Sequence, residues 1–223
     1  MTTGTALTRG MALLGDALFP RFCVGCTREG KILCDVCNEV WISMSTTQLR
    51  TSEVWTFGVY ADPVLRGLLT TWKYHFDDTA WAVLRRRLQP QMSLLHLRAA
   101  MAGVEAVVPV PLSRRRRAER GFDQAVEIAE WIAAGIHRPV LHLLERKHVD
   151  GHQAERTIDE RITAMHDNPF SIKASKMADR QKMKPTHVLL VDDVWTTGAT
   201  MHAAAEVLVT QGIGSHFVTV AKG

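Results

Sequence analysis

Asp192 and Asp193 follow four apolar residues, Val188–Val191, and precede Val194-Trp195-Thr196-Thr197-Gly198-Ala199-Thr200. The apolar run predicts a strand buried on both faces of a parallel sheet. The Thr-Thr-Gly-Ala-Thr turn then opens a helix. In open α/β sheets, ligands bind in the crevice beyond the strand ends. Gly198 lets the backbone come close to an anion. Free N–H groups at the helix start, from Ala199 onward, and the positive end of the helix dipole favour phosphate there. The hydroxyls of Thr196, Thr197 and Thr200 add neutral donors. Asp192 and Asp193 repel phosphate, but they can accept hydrogen bonds from vicinal hydroxyls such as ribose O2 and O3, or hold a divalent cation. The string therefore suits a sugar phosphate, with the phosphate on the loop and the diol on the acids. The bland alternative is a βα turn whose Asp pair caps the helix. No Gly-Lys-Ser/Thr follows, so this is not a Walker A loop.

Cys23-x2-Cys26 and Cys34-x2-Cys37 form a second cluster, with seven residues between the pairs. Two such knuckles supply four thiolates at the spacing of a structural zinc site. Gly25 and Gly30 help the tight turns. With all four positions filled by protein, the zinc would be structural. Redox-active pairs and an iron–sulfur site are the competing readings. Phe22 and Trp41 flank the module, where core packing is the expected role and contact with single-stranded DNA stays open.

Five Arg fall within Arg114–Arg120, directly after an apolar strand at Ala106–Val110. Arg makes bidentate, charge-assisted bonds to phosphate oxygens, so this loop can clamp a diphosphate or a nucleic-acid backbone. Not all five can reach one ligand; Arg120 and one or two of Arg114–Arg117 are favoured. Arg85-Arg86-Arg87 lies on a helical pattern, does not share a face, and reads as a solvated run. The ten His are scattered and form no ligand or nucleophile motif.

These groups need a scaffold. A strand is expected at Val54–Tyr60, and then a helix with Asp62 as N-cap and Pro63 at its first position. Helices follow at about 79–89 and 92–102. The strand at Ala106–Val110 leads to a helix from about Phe122 to Ala134, ending at Gly135. Pro139–Leu144 is a further strand candidate, and a helix is expected near Ile158–His166. Ala199–Gln211 is the helix opened by the Thr-Gly-Ala-Thr turn, and His216–Ala221 the last strand. Ser43–Glu53 reads as a linker. Alternating strands and helices predict an α/β domain with a mainly parallel sheet, over residues 53–223, beside a small four-cysteine zinc module over residues 1–44.

The chain's 223 residues suit that division. Hydrophobic residues at 46% and charged residues at 22% are globular proportions and exclude wholesale disorder. The net charge of +4 is mild and does not by itself indicate nucleic acid. Four clustered cysteines exclude a chain-wide disulfide framework. No apolar run is long enough to span a bilayer. Met11–Phe19 is apolar, but Asp16 interrupts it and no cleavage site follows, so a short amphipathic helix and a cytoplasmic location are expected.

The string 188–200 resembles the phosphoribosyl pyrophosphate (PRPP) motif of type I phosphoribosyltransferases. Further motifs make the chain similar to the ComF family, phosphoribosyltransferase-like proteins named for a competence protein of DNA uptake. These are the two Cys-x2-Cys pairs, Trp72-Lys73-Tyr74, Val108-Pro109-Val110-Pro111 and Arg120-Gly121-Phe122-Asp123-Gln124-Ala125. The resemblance implies a phosphoribosyltransferase fold that binds PRPP with Mg²⁺ and displaces pyrophosphate from ribose C1. It implies that the loop after Val108–Pro111 binds pyrophosphate, that Lys73 reaches an anion, and that Arg146–Arg161 is a loop closing over the site. An alternative it carries is a non-catalytic protein binding a nucleotide or single-stranded DNA alongside DNA-uptake proteins. Two departures stand out. Asp123 replaces the family's usual Asn, and Arg156 and Ala164 replace a usual Leu and Asn.

Overall fold

The computed structural model describes residues 20–44, 50–51, 54–75, 77–147, 168–173 and 185–223. The apolar segment 11–19, the helix expected near 158–166, most of the expected closing loop, with Arg156 and Arg161, and Ala164 beyond it lie outside them. By internal contacts the chain forms two compact units, residues 1–46 with 61–86, and residues 47–60 with 87–223.

The first unit carries the Cys pairs and helices α1 (Asp35–Met44), α2 (Pro63–His75) and α3 (Asp78–Leu88), the last running into the second unit. Asp62 caps α2: its Oδ1 accepts the N–H groups of Val64 and Leu65 at 2.9 and 3.0 Å. Its Oδ2 accepts the indole N–H of the buried Trp41 at 2.7 Å. One carboxylate thus ends one helix's orphan donors and satisfies the polar atom of a core ring. Trp72 and Trp81 stack at 4.5 Å between ring centroids, tying α2 to α3.

The second unit is built on a five-stranded sheet. Its strands are β1 (Arg50–Thr51), β2 (Trp55–Val59), β3 (Ala106–Pro109), β6 (His187–Trp195) and β7 (Gly214–Lys222), in the order β1-β2-β7-β6-β3. Four strands run parallel and β1 pairs antiparallel at the edge of β2. The expected linker therefore includes the end of α1 and a short edge strand. β4 (Leu144–Arg146) and β5 (Phe170–Ile172) make a separate antiparallel ribbon. The strand expected at Pro139–Leu144 reduces to one parallel bridge, Val140 to Val107, before β4 begins.

Side chains alternate along β6. Val188 and Leu190 join a buried cluster with Val108, Met201, Ala204 and Leu208, the last three from α7 (Ala199–Val209). Leu189 and Val191 face the other way, are equally buried, and α6 (Gln124–Ile136) packs on β3 and β6. Helices on both faces explain the continuous apolar run. The architecture is α/β with a parallel four-stranded core, consistent with a phosphoribosyltransferase-like fold.

Gly135 does not end α6, contrary to expectation. A Cβ there would lie 2.3 Å from Met92 Cγ at the start of α4 (Met92–Met101), so the glycine serves close helix packing. The helix ends instead at His137, which adopts a left-handed conformation with φ 55°.

Candidate functional site

Two separate sites emerge, one in each unit. In the first, Cys23 is buried and the other three thiols are partly or fully exposed. The four sulfurs lie within 4.8 Å of one another, and Cys26 Sγ is 3.7 Å from Cys34 Sγ. A tetrahedral zinc with ~2.3 Å bonds to sulfur sets S···S edges of ~3.8 Å, so the donor set fits. Backbone N–H groups of Gly25 and Cys34 donate to Cys23 Sγ, and that of Cys37 to Cys34 Sγ, each at 3.4 Å. Such donors orient thiolate ligands and stabilise their charge.

Desolvation raises the Cys23 thiol, but the N–H groups of Cys34, Gly25 and Cys26 outweigh it and bring it down to about 6. Cys37 is pushed up to about 12, mainly by hydrogen bonds with the Cys34 and Cys26 thiols. Four sulfurs this close could hold a metal ion such as zinc. The knuckle is anchored by contact: a Cβ on Gly67 of α2 would lie 2.9 Å from Val24 Cβ, and one on Gly25 3.0 Å from Cys37 Sγ. Trp41 is packed as expected, but Phe22 is exposed, so the core-packing expectation fails for Phe22.

In the second unit, β3 and β6 are neighbours, with Pro109 opposite Val191. The Val110 N–H donates to Val191 O at 2.9 Å, and Pro111 follows. The chain leaves β3 through α5 (Arg114–Arg120) and α6 and returns as Val140 on the side of Val107 away from β6. It leaves β6 through α7 to β7 on the other side. The connections diverge between β3 and β6, which is where doubly wound sheets open a ligand crevice.

β6 outlasts β3. Beyond Val191 it stays paired only with β7, through Asp192 to Thr219, Val194 to Ala221 and Trp195 to Lys222. Asp192 and Asp193 therefore lie inside a nine-residue strand, not at its end. The apolar run underestimates the strand because the β7 ladder continues past it. Successive strand residues point to opposite faces, so the two carboxylates leave on opposite sides. Asp192 Oδ1 accepts the N–H of Asp193 at 2.8 Å.

Thr196, Thr197, Ala199 and Thr200 are exposed in the turn and first helical positions, and Thr197 Oγ1 accepts the Ala199 N–H at 3.4 Å. Gly198 caps α7 at φ 79°, and a Cβ there would lie 2.4 Å from the Trp195 ring. Its lack of a side chain thus admits the buried indole as well as the turn. The importance of Trp195 was not legible in the motif.

The arginine run is a seven-residue helix, not a loop. Ser113 Oγ accepts the Arg116 N–H at 3.3 Å and Gly121, at φ 67°, ends it. The helix divides the arginines among different partners. Arg114 is exposed, Arg115 pairs with Glu119, Arg117 with the buried Asp123, and Arg120 donates to Gln124 Oε1 at 2.8 Å. Lys73 lies on α2, in the other unit.

Arg146 on β4 escaped the sequence reading as an individual residue. Its guanidinium lies 5.2 Å from the Phe170 ring centroid. Half-burial lowers its pKa, the charge of Arg116 lowers it further, and Asp192 opposes them. A cation over an aromatic ring thus joins α5 and β6 in one electrostatic neighbourhood. No simple spacing announces it, because β4 reaches the sheet only through the tertiary fold.

Among known proteins, the chain is 34% identical to competence protein ComFC of Bacillus subtilis over 106 residues, 48% of this chain and 39% of that protein. It is 33% identical to ComFC of Streptococcus pneumoniae over 105 residues, 47% of this chain and 42% of that protein. Competence protein F of Haemophilus influenzae is 31% identical over 111 residues, 49% of this chain and 46% of that protein. These matches support membership in the ComF family. The matched stretch spans less than half the length of each of these relatives. No protein-family model matches the chain. Among the described residues, no helix of this ComF-like chain is long and apolar enough to cross a membrane.

Proposed function

We propose that the second unit binds phosphoribosyl pyrophosphate, or a related sugar phosphate, as a phosphoribosyltransferase-type site. The observation that carries the reading is the divergence of connections between β3 and β6, with the arginine helix following one strand and Asp192–Thr200 spanning the end of the other. The 5′-phosphate takes the turn Thr196–Thr200 at the start of α7. The diphosphate takes Arg114 and Arg120. Of Asp192 and Asp193, which leave the strand on opposite sides, the one facing the crevice accepts the ribose hydroxyls and balances positive charge as the bond from C1 to pyrophosphate oxygen breaks and a bond to the acceptor forms. One carboxylate with substrate phosphates is a usual oxygen set for Mg²⁺, which would neutralise the leaving diphosphate. The division into a zinc module at residues 1–44 and a transferase-like domain at residues 53–223 belongs to the same proposal. So does a cytoplasmic setting, which keeps the four thiols reduced for zinc.

Isothermal titration with PRPP and Mg²⁺ tests it. Saturable heat that Asp192→Asn or Asp193→Asn abolishes is expected. Absence of heat from the folded, zinc-loaded protein overturns the reading.

A second reading is favoured by the relatives' description as competence proteins and by the exposed Arg114, Arg115 and Arg116. In it, the protein binds a nucleotide or single-stranded DNA without turnover, with DNA-uptake proteins. A gel shift at low salt, lost when Arg114–Arg116 become Ala, supports it. Loss of all binding at low salt in the unaltered protein removes it.

A further inference from the structure

A cavity of about 540 Å³ lies beside the arginine helix and outside the proposed sugar-phosphate contacts. Pro109 and Pro111 line it from the end of β3, His142, Leu144 and Lys173 from the ribbon side, and α6 from the other. Three carboxylates face it from that last side: Asp123, Glu127 and Glu130. Their spacing of four and three residues places them on one face of a helix. The volume is within the range of small-molecule pockets.

Asp123 distinguishes this from a solvated acidic face. Its side chain is only 7% exposed. It stands at the N-cap of α6, a position where Asp ordinarily accepts a helix N–H, yet it makes no such bond. Its Oδ2 takes the Arg117 guanidinium. Its Oδ1 is buried and has no hydrogen-bond donor. A buried carboxylate oxygen with neither cap nor partner is one that a ligand donor completes. Phe122 lines the same cavity, and an aromatic ring adds attraction for a cation.

We propose that this pocket binds a small organic cation, a guanidinium or primary ammonium compound, whose N–H group donates to Asp123 Oδ1 while Glu127 and Glu130 supply further negative charge. Arg117 stays on Oδ2, so the ligand adds to the existing pair. The site is separate from the phosphate turn at 196–200 and does not depend on turnover there.

Titration of agmatine into the full zinc-loaded chain, without PRPP or Mg²⁺, tests the proposal, with the neutral butylurea as control. Agmatine is expected to bind saturably with a Kd below about 1 mM, and butylurea at least tenfold more weakly. Asp123→Asn, which keeps the shape and removes the charge, is expected to weaken agmatine at least tenfold. Glu130→Gln, an exposed position on the same face, should weaken it in the same direction and serves if Asp123→Asn does not fold. No saturable agmatine heat, equal affinity for butylurea, or unchanged affinity in the folded variants would overturn it. PRPP binding, measured separately on the same samples, reports the other site independently.

Discussion

Gly198 sits against the indole of Trp195: a Cβ on the glycine would fall 2.4 Å from the ring. The same glycine holds φ 79° at the start of α7. A left-handed turn and a buried ring therefore meet at one position without a side chain. The turn at 196–200 is fixed by this packing before any ligand arrives.

Gly198→Ala is expected to lose about 2–4 kcal/mol of stability, from the left-handed penalty together with overpacking. Urea unfolding followed by fluorescence checks it. A loss under about 0.5 kcal/mol, the range of an ordinary surface substitution, would contradict the packing account.

The four thiols should carry one zinc per chain. Cys26→Ser and Cys37→Ser are expected to abolish stoichiometric zinc in metal analysis, and a strong chelator should lower the melting temperature of the unaltered protein. Zinc-bound thiols are deprotonated, so the metal should leave as pH falls. Purified protein with intact thiols and no metal would refute the assignment.

Gly67 and Val24 couple the knuckle to α2. Gly67→Ala places a Cβ 2.9 Å from the β-branched Val24, which has no flexible end to move aside. The variant should lose about 1–3 kcal/mol and bind zinc more weakly. Val24→Ala in the same chain should restore part of both, read by denaturation and by competition with a zinc chelator.

Asp62 accepts three donors at once, two N–H groups at the α2 N-terminus and the Trp41 indole. Asp62→Ala is expected to cost about 2–4 kcal/mol, combining a lost cap with an unsatisfied buried indole N–H. Asp62→Asn should recover much of it, since its carbonyl oxygen still accepts. Thermal unfolding of the pair measures the difference.

His216 titrates below its ordinary value of 6.5, because burial disfavours the charged ring and nearby His187 repels it, against an opposing backbone hydrogen bond with Ala102. It stacks on Trp55 at 5.5 Å. A depressed pKa means the unfolded chain binds the proton more readily, so this contribution is present above pH 6.5 and is lost as pH falls through the folded value. The denaturation midpoint should drop between about pH 7 and pH 5, and His216→Gln should flatten that drop. An identical profile in the variant would exclude His216 as a cause.

Much of the scaffold was written locally. Asp62-Pro63 signals a helix start by its own chemistry, and Val188–Val191 signals a doubly covered strand by its unbroken apolarity. The two Cys pairs set a metal spacing that the gathered sulfurs can meet. Where a residue's reason lies in a distant neighbour, the sequence misled. Gly135 read as a helix end but is small because Met92 presses on it. The strand read as four residues but has nine, because β7 keeps pairing with it.

By itself, then, the sequence determined which groups the chain carries and the periodicities that sort them into strands, helices and a cysteine cluster, because caps, alternation and ligand spacing act over a few residues. The tertiary structure decided which of those groups meet. It turned the arginine run into a helix that ties Arg117 to Asp123, sent Asp192 and Asp193 to opposite sides of a strand, and brought Arg146 from a remote ribbon within reach of Arg116 and Asp192. Charge acts through space, and only the packed sheet sets those distances.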